Sequence, residues 1–250
     1  MAYRALAAGA ALITAALLGG ATAASAQSAG DGFLFRRPAG TLTLRAGYDQ
    51  ALAGSDFFAD ATDRLTLSRG SFGAPLVGAD VAISVRDRAD VVFSGTFARS
   101  SRSSEYRRFL GTDDFPLDQQ TSLTREPGTA ALRYYLMPRG ERVGTFAWIP
   151  RGVAPFVAAG GGAVYYSLRQ NGWVLNEETL VARRVDLRSS GWTGALLGGA
   201  GLDVSLSPRL LLTTEARYTR ARAPLGTNFL GFEPIDLSGV ALTAGLAVRF

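Results

Sequence analysis

Two side chains that carry much of protein chemistry are missing from this 250-residue chain, which has no histidine and no cysteine. Without cysteine there is no disulfide, no thiolate metal site and no lipid attachment at a cysteine. Without histidine the chain lacks the usual general base, the commonest metal ligand and every Ser-His or Cys-His nucleophile pair. Acid–base chemistry would then fall to a carboxylate such as Glu215 or Asp80 beside a Ser or Thr hydroxyl, and no spacing in the chain requires it. The acidic residues Asp113, Asp114 and Asp118 match no calcium-loop spacing. The expectation is a protein that is not an enzyme and that holds no metal and no cofactor.

The remaining candidates are ionic and aromatic. Every basic side chain is arginine, and the formal net charge of +5 is scattered rather than clustered, which argues against a nucleic-acid groove. One set of charges, Arg45, Asp80, Arg86, Arg133, Asp203, Glu215, Arg217 and Arg249, falls on the small, polar face of alternating segments. A second set, Tyr48, Phe97, Tyr134, Phe156, Tyr166, Trp192, Tyr218 and Phe250, is assigned to the opposite, apolar face near segment ends.

The segments that position them number eight: Thr41 to Tyr48, Val77 to Arg86, Asp90 to Ser100, Thr129 to Met137, Val153 to Arg169, Ser190 to Leu206, Arg209 to Arg220 and Leu237 to Phe250. The last is clearest, with Val240, Leu242, Ala244, Leu246, Val248 and Phe250 on one face and Gly239, Ala241, Thr243, Gly245, Ala247 and Arg249 on the other. A period of two over that length specifies a strand. The fifth is weakest, because Ala158 to Gly162 is poor in side chains. No run after the leader approaches the ~20 apolar residues of a spanning helix, so a membrane-embedded form must be a closed barrel of strands.

The connections alternate in length. Asp87-Arg88-Ala89 and Ser207-Pro208 are hairpin turns. Asp49 to Leu76, Ser101 to Gly128, Gln170 to Ser189 and Ala221 to Asp236 read as long polar loops. This is the pattern of short periplasmic turns and long extracellular loops. The link Pro138 to Gly152 departs from it, and its Phe146-Ala147-Trp148-Ile149 stretch suits a membrane interface. On this topology Tyr48, Phe97, Tyr166, Trp192 and Tyr218 fall at the loop end of their strands and Tyr134, Phe156 and Phe250 at the turn end, as two aromatic girdles would.

Residues 1–26 read as a cleaved signal peptide: Arg4, an apolar run, then Ala24-Ser25-Ala26 before Gln27. Residues 27–40 read as an N-terminal periplasmic lead-in, and whether Phe33-Leu34-Phe35 contacts the lumen is left open. Residues 41–250 form the barrel.

The final Gly245-Leu246-Ala247-Val248-Arg249-Phe250 resembles the C-terminal signature of bacterial outer-membrane barrels. With the leader and eight segments, the chain resembles the small class typified by the OmpA transmembrane domain, OmpX and OmpW. The resemblance implies an all-β, antiparallel up-and-down transmembrane barrel of about eight strands in the bacterial outer membrane, inserted by the barrel-assembly machinery through the strand ending in Phe250. It fixes no activity. An interior just wide enough to be filled by side chains makes the inward charges a paired plug, with Arg45 and Asp80 the preferred pair. The corresponding function is structural, membrane-stabilising or surface-binding. The alternative is a narrow pore or conduit for small solutes, biased to anions by its arginines. Loop arginines at 102, 107, 108, 125, 183, 184, 188, 220 and 222 are positioned to meet outer-membrane lipids and lipopolysaccharide phosphates.

Overall fold

The computed structural model describes residues 32–110, 116–176 and 181–250. The signal-peptide reading and the first residues of the lead-in lie outside the described residues, as do Asp113 and Asp114.

Alternation of apolar and small polar residues produces the strands β1 (Gly40–Ala51), β2 (Ala74–Arg86), β3 (Ala89–Leu110) and β4 (Pro116–Tyr135). Two short strands follow, β5 (Gly140–Val143) and β6 (Ala147–Pro150), and then β7 (Val153–Asn176), β8 (Val181–Ser205) and β9 (Leu210–Ala223). The chain closes with β10 (Ile235–Asp236) and β11 (Gly239–Arg249). Eight of these strands form one antiparallel ring in the order β1, β2, β3, β4, β7, β8, β9, β11, and β11 pairs back onto β1. Across the apolar band closure gives every barrel strand a hydrogen-bonded neighbour on both sides, while farther up residues 99–110 of β3 pair only with β4 and residues 181–194 of β8 only with β7 among the ring strands.

All eight expected segments are strands, but four of them are much longer than their apolar stretch. β3 has 22 residues, β4 has 20, β7 has 24 and β8 has 25, where about 9–11 tilted residues cross a bilayer. The stretches 101–128 and 170–189, expected as polar loops, are therefore mostly strand. The hydrogen-bond ladder runs on past the apolar band through pairs such as Ser101↔Ser122 and Arg169↔Arg188. A strand needs a partner and alternation, not lipid, and the polar composition there reflects water outside rather than a loss of pairing.

Inside–outside polarity reverses along these strands. In the lower part the outward residues are apolar and exposed, among them Leu44, Val77, Phe93, Leu132, Leu196 and Leu242, while Thr43, Asp80, Ser94, Arg133 and Glu215 are buried within. Farther up, Leu123, Val164 and Leu168 point inward and are fully buried, whereas Arg169 and Arg188 face out. The upper part encloses a hydrophobic core.

That core is completed by the connections after β1 and β9. Helix α1 (Asp56–Arg64) carries Phe57, Phe58 and Ala61 on its buried side, the i, i+1, i+4 spacing of one helical face. Phe57 packs edge-on against Phe229 and Phe232, with ring centroids 5.5 and 5.6 Å away, and Phe58 against Phe72 at 4.6 Å. Asp56 accepts from the Glu233 amide at 2.9 Å, tying the two connections together.

At the opposite end β5 and β6 pair as a hairpin, and Leu34 exchanges two backbone hydrogen bonds of 2.8 and 2.7 Å with Trp148. The lead-in thus adds to the hairpin as a bridge, and Trp148 is buried against the Arg249 guanidinium, 5.6 Å from its ring.

Candidate functional site

The lumen of the lower barrel is the place where functional groups converge. Alternation on β1, β2, β4 and β9 aims Arg45, Asp80, Arg133, Glu215 and Arg217 at one level. Arg45 forms an ion pair with Asp80 and a second with Glu215 at 3.2 Å. Glu215 also meets Arg217 at 2.7 Å and Arg133 at 3.6 Å. Arg45, Asp80, Arg133 and Glu215 are each at most 6% exposed. Charges this buried persist only when paired, since one left alone costs several kcal/mol.

Below this level Tyr135 donates to Asp203 at 2.9 Å, and Arg133 stacks 4.2 Å over Phe156. Arg139 pairs with the fully buried Asp90 at 2.7 Å and lies 4.7 Å over the Tyr135 ring. Arg249 donates to the Ser205 hydroxyl at 2.7 Å and to the Pro208 carbonyl at 3.1 Å. Above it, Arg125 and Asp49 form a buried pair at 2.9 Å. A cavity of about 30 Å³ lies between the Arg125 pair and the central cluster and is lined by Arg45, Arg217, Thr96 and Pro127.

Three assignments made from the sequence are corrected by these positions. Arg86 is not in the lumen but exposed at the lower rim. A β-bulge between Ser84 and Arg86 shifts the register, and an extra residue re-aims the side chains after it. Phe156 and Tyr166 are not outward aromatics; they are 1% and 2% exposed and point inside. Small residues between Ala158 and Gly162 hid the phase of β7. Phe156 fits the lumen because its β8 partner is Gly201, where a Cβ would stand 2.3 Å from the ring. Tyr166 seals the upper core, its hydroxyl 3.0 Å from the Ser189 hydroxyl and 2.5 Å from the Pro224 carbonyl it donates to. The outward aromatic of that strand is Tyr165, which packs on Trp192 at 5.3 Å.

The other six aromatics, Tyr48, Phe97, Tyr134, Trp192, Tyr218 and Phe250, are exposed on the outer wall, between 44% and 68%. With the aliphatic residues beside them they form an apolar wall around a polar interior, the reverse of a water-soluble barrel and far larger than the patches soluble proteins expose. Only a hydrocarbon surround makes that arrangement stable. The protein is a small outer-membrane β-barrel.

No family model matches the chain, and no curated protein does. Solved structures share the architecture. The outer membrane protein OprG from Pseudomonas aeruginosa is 18% identical, with 87% of this chain and 99% of that chain covered at a TM-score of 0.47. Neisserial surface protein A is 14% identical, with coverage of 88% and 98% and a TM-score of 0.42. Ail, the attachment invasion locus protein of Yersinia pestis, is 14% identical, with coverage of 84% and 99% and a TM-score of 0.42.

Sequence reasoning missed Asp90, Arg139, Tyr135 and the Arg125–Asp49 pair. Asp90 and Arg125 carried a signal: each has the inward parity of its strand, Asp90 with Ser94 and Arg125 with Thr129 and Arg133. Arg139 carried none, because it acts from the link after β4.

Outside the bilayer, Asp186 is held between two arginines, Arg169 at 2.7 and 2.9 Å and Arg188 at 2.6 and 3.1 Å. The hydrogen bonds from Arg169 and then Arg188 keep its carboxyl well below the usual carboxylate range. These groups share the outer wall above the aromatics. Going up each strand, Phe97 is followed by Arg99, Tyr218 by Arg220, Tyr165 by Arg169 and Trp192 by Arg188, all with the same outward parity.

Proposed function

We propose that the protein is a closed barrel with a structural, membrane-stabilising and surface-binding role, its lumen plugged by charged side chains and its upper mouth sealed by a folded extracellular head. The observation that carries this reading is the cluster of Arg45, Asp80, Arg133 and Glu215, in which four nearly inaccessible charges occupy the lumen at one level. The apolar core around Phe57, Phe58 and Tyr166 above it, and the Trp148 hairpin below, support closure at both ends. Insertion through the assembly machinery would use β11 and the Phe250 that follows it, 61% exposed.

The ligand we assign to the outer surface is the phosphate of lipopolysaccharide. Arg99 and Arg220 stand one outward position above Phe97 and Tyr218, and Arg188 two above Trp192, the height of the headgroups in the outer leaflet, and guanidinium groups bind phosphate in a bidentate fork. Calorimetric titration of the refolded barrel with lipopolysaccharide tests this. Binding should weaken on dephosphorylation of the lipid and in Arg188→Gln/Arg220→Gln; equal affinity for both lipid forms would end the assignment.

One observation favours the second reading, a narrow conduit for small solutes. Pairing between β3 and β4 lapses between Gly95↔Gly128 and Ala98↔Arg125, where Pro127 has no N–H to give, and both Pro127 and Arg217 line the lumen cavity. A conduit there would lose its ion selectivity in Arg217→Ala.

A further inference from the structure

The lower rim holds a second charged surface that the reading above does not use. Arg86 and Arg88 stand exposed at the β2–β3 turn, and Arg142 and Arg151 in the link between β4 and β7. None of the four has an ion-pair partner among the described residues. The two connections form one continuous edge, because Arg139 donates to the carbonyls of Arg86 at 3.3 Å and Asp87 at 3.4 Å and to the Ser84 hydroxyl at 3.1 Å. Asp87 is occupied by Arg37, so Glu141 is the one exposed carboxylate on this edge without a described partner.

Directly above the edge, Val85 on β2, Tyr134 on β4, Leu136 and Met137 just after β4 and Val153 on β7 face outward, each 46–59% exposed. Between Arg142 and Arg151 the link adds Phe146, 69% exposed, and Ile149, 45% exposed. Cationic groups bracketing exposed apolar and aromatic ones is the composition of a segment lying in a membrane interface.

We propose that this rim is a binding site for an anionic phospholipid of the periplasmic leaflet. Its phosphodiester is held by Arg86, Arg88, Arg142 and Arg151, and its acyl chains lie along Val85, Tyr134, Leu136 and Val153. The apolar wall continuous with the arginines selects a lipid over a soluble anion. The shortage of local carboxylates selects an anionic headgroup over a zwitterionic one, which brings its own cation. The site is independent of whether the lumen is plugged or the outer wall binds lipopolysaccharide.

The test is refolding of the full chain into phosphatidylcholine vesicles and measurement, by electron paramagnetic resonance, of how strongly spin-labelled phosphatidylglycerol and spin-labelled phosphatidylcholine are immobilised at its surface. The native protein should prefer phosphatidylglycerol several-fold, and the preference should fall with added salt. Arg86→Gln/Arg88→Gln/Arg142→Gln/Arg151→Gln should remove most of it, whereas Arg188→Gln/Arg220→Gln at the opposite leaflet should lower it much less. Closure of each variant is read from heat-dependent gel mobility. If the fourfold variant does not close, the pairs R86Q/R88Q and R142Q/R151Q should each lower the preference. No preference in the native protein, a preference unchanged in the rim variants, loss in the outer pair instead, or full competition by inorganic phosphate would each overturn the proposal.

Discussion

Arg45 on β1 and Glu215 on β9 are joined at 3.2 Å although β11 lies between their strands. The Arg45 side chain crosses because its β11 partner is Gly245, where a Cβ would stand 2.5 Å from the Leu44 carbonyl and 3.0 Å from the Arg45 Cβ. One guanidinium thereby serves Asp80 on β2 and Glu215 on β9, linking strands on both sides of the β1–β11 closure.

Removing that guanidinium leaves two buried carboxylates short of a partner. Arg45→Ala should destabilise the barrel by about 3–5 kcal/mol, read as a lower urea midpoint in detergent. Because paired burial is not in itself strongly stabilising, Arg45→Leu/Asp80→Leu should recover most of the loss. A double variant as unstable as the single one would contradict the pairing.

The head depends on apolar packing rather than charge. Phe58→Ala removes a fully buried ring that packs on Phe57 and Phe72 and should cost the head about 3–5 kcal/mol. Limited proteolysis should then cut within α1 and its flanking connections while heat-dependent gel mobility still reports a closed barrel. Simultaneous loss of both would mean that head and barrel unfold as one unit.

The sequence made the eight strands legible because each crosses lipid with one apolar and one small, polar face, and a period of two survives any turn chemistry. It did not disclose where strands end. Polar residues such as Ser101, Ser103 and Glu105 look alike in a loop and in a solvent-exposed hairpin, and only the partner strand distinguishes them. The Arg45–Asp80 pairing could be anticipated from the adjacency of β1 and β2, while Glu215 reaches Arg45 across a third strand, which no neighbour rule anticipates. Phe156 and Tyr166 were assigned to the wrong face because Gly160, Gly161 and Gly162 erase the alternation that would fix their phase. The inward apolar residues Leu123 and Leu168 were invisible as a core, since the reversal of polarity outside the bilayer has no local mark.

Asp186 provides a pH-dependent marker in the extracellular hairpin of β7 and β8. Its folded-state carboxyl is depressed by Arg169 and Arg188, so its contribution is present above the unfolded-state value of about 3.9 and is lost as pH falls through the lower folded value. Hydrogen exchange of the hairpin amides should therefore show no step assignable to Asp186 between pH 7 and about pH 4. Asp186→Asn should speed exchange there at neutral pH, by leaving Arg169 and Arg188 opposed without a carboxylate. Equal exchange in both proteins would remove the triad from the account.

Single-channel recording of the refolded full chain in a planar bilayer tests the central claim of a closed lumen most directly. A heat-modifiable, fully inserted barrel should give no reproducible conductance steps, and Arg45→Ala/Glu215→Ala, which opens the central cluster, should give no more than brief, irregular events while the head remains folded. Stable, ion-selective steps from the native protein, altered by Arg217→Ala, would contradict the closed barrel and establish the conduit in its place.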